Sequence, residues 1–126
     1  MKTAVLVKNG DRLVDVVELV VDLKSRLIGL LDRSSLEPQR AMYLSPCSSI
    51  HTFFMKFYID LVFLNREMEV TRIVRDVGPG RIVLGGSGSW SVLEMASGWF
   101  PVNALKVGDK VCLNETEAGT VDGITE

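Results

Sequence analysis

The chain contains one histidine, His51, and any case for chemistry starts there. An imidazole with an ordinary pKa near ~6.5 exchanges protons around neutrality. Cys47 lies four residues earlier, so the two could meet across a helical turn or a tight loop. Such a pair has the make-up of a thiol nucleophile and its base. A third, orienting group would still be required, and Asp60 or Glu94 could serve only if folding brings one close. The blander alternative is a buried cysteine beside a histidine whose ring bonds to the backbone. Cys47 and His51 are therefore candidates without an established triad. Zinc accepts the same two ligand types, and Cys112, Asp60 or Glu94 could complete a set only through tertiary proximity. No H-E-x-x-H, paired C-x-x-C or calcium-loop spacing supplies that proximity. Neither a metal site nor a cofactor is expected.

A second group is polar rather than nucleophilic: Arg26, Lys56, Asp60 and Glu94. Asp60 interrupts the apolar run from Ile59 to Leu64, and Glu94 stands between Leu93 and Met95. On a regular strand Ile59, Leu61 and Phe63 share one face, while Asp60, Val62 and Leu64 share the other. Both sets are largely apolar, so the strand should be covered on both sides. A buried carboxylate there requires a backbone donor or a cation, with Lys56 or Arg26 the first to consider. These four residues form either a structural polar network or a ligand-binding set, unless alternation turns the carboxylates to solvent.

Gly85, Gly86 and Gly88 invite a phosphate-loop reading, but neither the dinucleotide fingerprint nor the P-loop pattern is present. A flexible sheet connection is the better account. Trp90 and Trp99, with Phe53, Phe54, Phe57 and Phe63, have the types of a stacking surface, yet aromatics are first-choice packing residues.

Short β segments must position these residues. Ala4–Val7 and Leu13–Val20 are valine-rich strands joined by Asn9-Gly10-Asp11, a positive-φ hairpin turn. The period then changes. Leu23, Leu27, Leu30 and Leu31 form one helical stripe behind Asp22, a helix of about ten residues. After the exposed stretch from Ser34 to Arg40 come a strand at Ala41–Leu44 and a turn-rich approach to Ile50–Met55. A hairpin pairs Ile59–Leu64 with Glu69–Val74. Asp76–Gly80 and Gly85–Ser89 read as loops, Trp90–Met95 as a strand, and Trp99–Leu105 as a short helix with Pro101 in its first turn. Lys106–Asp109 makes the last turn before Lys110–Leu113. Residues 1–113 thus read as a single β-rich domain and 114–126 as an acidic, mobile tail. The expected fold is mainly β, a compact β-sandwich or partly closed barrel with one or two short helices.

The 126 residues suffice for one core, and 47% of them are hydrophobic. The 14 basic and 16 acidic side chains leave a net charge of −2, which gives no field for a phosphate backbone, so no nucleic-acid partner is expected. No apolar run reaches membrane-spanning length. Lys2, Lys8 and Asp11 interrupt any apolar leader, which points to a soluble, cytoplasmic protein with reduced thiols.

The order of motifs resembles a small bacterial and archaeal family, domain of unknown function 192, over roughly Val14 to Leu113. Arg26-Leu27-Ile28-Gly29-Leu30-Leu31 is similar to its R-x-x-G-L-M signature, with Leu31 in place of methionine. His51-Thr52-Phe53-Phe54-Met55-Lys56 and Ile59-Asp60-Leu61-Val62-Phe63-Leu64 resemble its central F-W/F-M-K and I-D-hydrophobic pattern, with Phe54 where many members carry tryptophan. Val92-Leu93-Glu94-Met95-Ala96-Ser97-Gly98 resembles V-L-E-L-P-A-G, Ala96 replacing proline. Leu105–Val111 resembles the terminal G-L-x-x-G-D-x-V. Arg26, Gly29, Met55, Lys56, Asp60, Glu94, Gly98, Gly108 and Asp109 match recurring positions. The resemblance implies a β-sandwich-like domain with short helices and no particular reaction. Many relatives look exported or membrane-tethered, features this chain does not show.

Two functions fit these readings. One is a non-catalytic accessory domain that binds a small ligand or a protein partner. The other is a hydrolase or transferase with Cys47 as nucleophile and His51 as base. A polar cleft would favour a ligand, and an exposed, contiguous apolar patch would favour a protein interface.

Overall fold

The computed structural model describes residues 2–20, 40–101 and 103–116. Nine strands occur among them: β1 Thr3–Lys8, β2 Asp11–Val20, β3 Arg40–Leu44, β4 Ser49–His51, β5 Ile59–Leu64, β6 Val70–Val77, β7 Ile82–Leu84, β8 Ser91–Ala96 and β9 Cys112–Thr116. Seven form one sheet in the order β6-β5-β8-β3-β2-β1-β9, and β4 pairs with β7 in a separate two-stranded sheet. All pairings are antiparallel except β2 with β3.

Local chemistry accounts for the hairpins. Asn9 and Gly10 have φ of 52° and 83°, the double positive φ that a two-residue turn between right-twisted strands requires. Two register shifts in the β1–β2 ladder explain why the Leu13–Val20 alternation is imperfect. The β5–β6 loop is tied by Asn65, whose side-chain oxygen accepts the amides of Glu67 and Glu69, each at 2.9 Å.

The sheet is buried on both faces around β5, all six of whose residues are buried. Leu6, Val14, Val17, Ala41, Val62, Leu64, Leu93 and Met95 pack on one face with Phe100, Leu105 and Val111. On the other, Met42, Leu44, Ile59, Leu61, Phe63 and Val92 pack with Met55 and with Ile50 of β4, and Val83 of β7 closes over them. The small sheet is thus held on the large one by its inner residues.

The expected fold class needs correction. Among the described residues there is no helix, and no sheet closes into a barrel. Residues 22–31, where the first helix was expected, lie outside the described residues. The second, Trp99–Leu105, is replaced by a turn in which the Ala104 amide donates to the Pro101 carbonyl at 3.1 Å. The Phe100 carbonyl accepts from the Arg75 guanidinium, and the Pro101 carbonyl is shared between Arg75 and the Ala104 amide, so the turn is tied to a neighbouring strand. A barrel would need β6 to pair with β9. Among the described residues those two ends are joined by an isolated bridge, Glu69 with Lys110, and the backbone bonds around it, not by a ladder between β6 and β9. Strand β6 also runs to Val77, through the first residues of the expected Asp76–Gly80 loop, and β9 carries the chain to Thr116.

Candidate functional site

Asp60 is 2% exposed, and the reason it can be buried lies on β6. The β5–β6 register shifts between Ile59↔Val77 and Leu61↔Val74, which places two residues, Arg75 and Asp76, opposite Asp60 alone. A bulge of this kind frees a backbone amide from the ladder and re-aims a side chain. Here the freed Asp76 amide donates to Asp60 Oδ1 at 2.9 Å. The Gly98 amide and Arg75 donate to Oδ2 at 3.2 and 3.4 Å. Asp76 sits at φ 56°, a conformation that aspartate tolerates better than most residues, and its carboxylate accepts from Ser97 Oγ. Asp60 therefore ties β5, β6 and the turn after β8 into one polar knot.

The other polar candidates are distributed differently. Asp60 is opposite Met95 and Leu61 is opposite Glu94, and directly paired residues point to the same face of a sheet. Asp60 and Glu94, both buried, consequently face opposite sides of the sheet. Lys56 is exposed, and Arg26 lies outside the described residues. Cys47 donates its thiol hydrogen to the Ser49 carbonyl at 3.1 Å. The His51 ring is stacked on Phe53, centroids 5.4 Å apart. No disulfide joins Cys47 and Cys112, and no group of three His, Cys, Asp or Glu among the described residues is placed to hold a metal.

Two polar anchors escaped sequence reasoning. Thr52 is fully buried; its hydroxyl donates to the Gly78 carbonyl at 2.7 Å and accepts the Arg81 amide at 2.9 Å. It locks the turn after β4 to the loop before β7. Asp109 was visible only as half of a Gly-Asp motif. Its carboxylate accepts from Lys8 Nζ at 2.8 Å and from the Lys106 amide at 2.9 Å. Those bonds, Lys8 first, hold the carboxyl below its ordinary pKa. A cation on β1 and a turn that begins three residues earlier are separate signals, and neither shows from sequence that it will meet the other.

Thr52 and the core contacts of Ile50 and Val83 fix the orientation of β4 and β7. The ladder bonds run from Thr52 to Arg81 and from Gly85 to Ser48. The facing pairs His51↔Ile82 and Ser49↔Leu84 are thus the non-hydrogen-bonded ones, whose side chains approach most closely. They point outward. Ile82 and Leu84 are 66% and 62% exposed, and Phe53, Phe54 and Tyr58 add 40%, 80% and 58% in the adjoining segment. The carbonyls of Ser49 and Leu84 point to the two free edges of this ribbon. Cys47 caps the first and the Arg72 guanidinium the second, which blunts pairing through the edges.

Elsewhere, two shallow clefts of about 200 and 390 Å³ share Ser89 and Trp90. Part of their polar lining is already engaged. Ser89 Oγ meets Thr71 Oγ1 at 2.9 Å, Asn65 holds its own loop, and Arg66 lies over the Trp90 ring at 3.8 Å.

A bulged, antiparallel-rich sheet with a short ribbon on one face, held by buried polar knots, makes the described residues an all-β module. The chain belongs to the domain of unknown function 192 family, described as "Uncharacterized ACR", whose model matches residues 5–113. Among solved structures it is similar to a protein of unknown function from Novosphingobium aromaticivorans, at TM-score 0.71 and 20% identity over 87% of this chain and 83% of that one. It is equally similar to a Sinorhizobium meliloti protein described only provisionally as a transcription regulator, at TM-score 0.71 and 20% identity over 89% and 92% of the two chains. Likeness at that identity establishes the fold alone. None of the curated proteins matches the chain. No helix among the described residues is long and apolar enough to cross a membrane.

Proposed function

We propose that the domain is a non-catalytic binding module whose outward β4–β7 face docks a protein partner. The observation that carries this reading is Phe54, 80% exposed at φ 69°. A bulky side chain at positive φ is strained, and glycine would hold the same turn without that strain. Neither burial nor backbone geometry calls for phenylalanine there; a partner does. Beside it, Phe53, Ile82 and Leu84 extend the apolar surface, and contiguous exposed apolar surface marks interaction sites. The alternative with Cys47 as nucleophile and His51 as base stands second, because the thiol donates to the Ser49 carbonyl and the ring stacks on Phe53, contacts that do not join the two. The proposal places the module in the cytoplasm, where both thiols stay reduced.

The test is site-specific photocrosslinking. A benzoylphenylalanine at position 54 should form a discrete adduct with one partner in extract of the source cells, and Ile82→Asp with Leu84→Asp should abolish it. A probe at Asp15, exposed on β2, should give none. The same adduct from both positions, or one unaffected by the aspartates, refutes the reading.

A further inference from the structure

We infer that the partner segment bound on this face is acidic, an apolar stretch flanked by carboxylates. The inference rests on the docking reading above and adds the chemistry of the partner. Residues 45–58 and 77–90, which build the ribbon and its loops, contain Lys56, Arg81 and His51 and no aspartate or glutamate. All 16 carboxylate side chains of a chain with net charge −2 lie elsewhere. The charge of these two segments is therefore opposite in sign to that of the whole molecule, and Glu67, beside Gly88–Trp90, is the carboxylate that borders them at the cleft. Lys56 and Arg81 are exposed, and the ion pairs among the described residues, Lys8–Asp109, Arg12–Asp15, Arg40–Glu18 and Arg75–Asp60, include neither. Arg72, also exposed, adds a third positive group at the β7 edge, where it is fixed on the Leu84 carbonyl. An apolar centre rimmed by uncompensated cations is complementary to an apolar segment rimmed by anions. Such complementarity governs encounter rate and partner choice more than raw affinity.

Phosphate polymers and bilayers are also anionic, but the number of cations argues against both. Nucleic-acid affinity is built from many neutralised phosphates, and anionic membranes are held by clusters of roughly 4–8 basic residues. Three cations around a centre of Phe53, Phe54, Ile82 and Leu84 suit a short stretch of protein instead.

The probes are three fluorescein-labelled synthetic peptides with one common Leu-Phe-Leu centre flanked by glutamates, lysines or serines. Their binding to the full chain is followed by fluorescence anisotropy. The glutamate peptide should bind roughly tenfold or more tighter than the lysine peptide, an advantage that fades by about 0.5 M salt as screening shortens. The double variant Lys56→Glu with Arg81→Glu should reverse the preference. These side chains are exposed, so circular dichroism and thermal melting should match the parent. Equal binding of all three peptides, lost in the Ile82→Asp, Leu84→Asp variant, leaves the docking face standing and overturns the acidic partner. Failure of every peptide to bind overturns the acidic partner as well. Binding that ignores the aspartates overturns both readings. Tighter binding to phosphatidylserine vesicles or to an oligothymidylate overturns the inference in favour of that surface.

Discussion

Replacing Asp60 by alanine removes the acceptor from three donors at once, and the cost follows from where each is left. The Asp76 and Gly98 amides, at 2.9 and 3.2 Å, lose their carboxylate partner, but both residues are exposed and water can take over part of each bond. A hydrogen bond to a charged group contributes about 1.5–3 kcal/mol, less where water replaces it. The Arg75 side chain is 25% exposed and keeps the Phe100 and Pro101 carbonyls, so its 3.4 Å contact adds little. The sum for Asp60→Ala is about 1–3 kcal/mol, an appreciable part of a stability that for such domains is roughly 5–15 kcal/mol. Asp60→Asn keeps one acceptor oxygen for one amide and turns an NH2 toward the other donors, so it should cost about half as much. Equilibrium urea denaturation read by circular dichroism measures both, as shifts in midpoint at constant m. If both variants unfold within about 0.5 kcal/mol of the parent, the bulge is not held by Asp60 and the account of the knot is wrong.

Thr52→Val keeps the shape but removes the bonds to Gly78 and Arg81, and should cost about 1–2 kcal/mol in the same denaturation assay. Gly85→Ala would bring a Cβ within 2.5 Å of both Phe63 Cδ1 and Ser89 Oγ; with Phe63 fully buried, overpacking should cost about 1–3 kcal/mol and lower the melting temperature. Phe54→Gly relieves the positive φ, so stability should fall by no more than about 0.5 kcal/mol while the photocrosslinked adduct, its probe moved to position 53, weakens or disappears. Asp109 is held below its ordinary pKa by Lys8 and the Lys106 amide, so as pH falls the unfolded chain takes up the proton first. Its stabilising share is complete above the ordinary carboxylate range and is lost as pH drops through the lower folded value. Asp109→Asn should remove that share of the acid slope in urea midpoints taken from about pH 5 to pH 2, and an unchanged slope would show that the Lys8 bond is not formed in solution.

What the sequence disclosed and what it hid divide along physical lines. The Asn9-Gly10 turn, the β5–β6 hairpin and the double-sided burial of β5 were legible because each is written in neighbouring residues: turn chemistry, or two interleaved apolar sets. That a carboxylate inside β5 would need donors was legible for the same reason. Its donors were not: Arg75 and the Asp76 amide depend on a single inserted residue on the opposing strand, and the Gly98 amide on the turn after β8. Period-2 reading reports which way a side chain points, not whether one residue opposes one or two. In the Val70–Val77 stretch, apolar and polar residues do not alternate cleanly enough to expose the bulge, and Asp76 with the glycines beyond it reads as the start of a loop. Arg75 and Asp76 therefore looked like the loop beyond a strand when they form the bulge just before its last residue.

The β4–β7 ribbon was hidden for a related reason, and its position in the molecule follows from it. Strands of three residues are too short for alternation to register, and Arg81–Leu84 falls between two glycine-rich stretches that dominate any local reading. Such short strands cannot hold together through their own ladder. Here Ile50 and Val83 hold the ribbon to the sheet, while Thr52 fixes its far end to Gly78 and Arg81. With the inner residues committed to the core and both edge carbonyls capped, only the outward side chains are left to act on anything else. Those are His51, Ile82, Leu84 and the phenylalanines of the following turn, and the two segments that carry them hold cations without carboxylates. The segment least legible as structure is thus the part of the domain with the fewest structural obligations on its surface, and a binding face belongs where side chains can be chosen for a partner instead of for the fold.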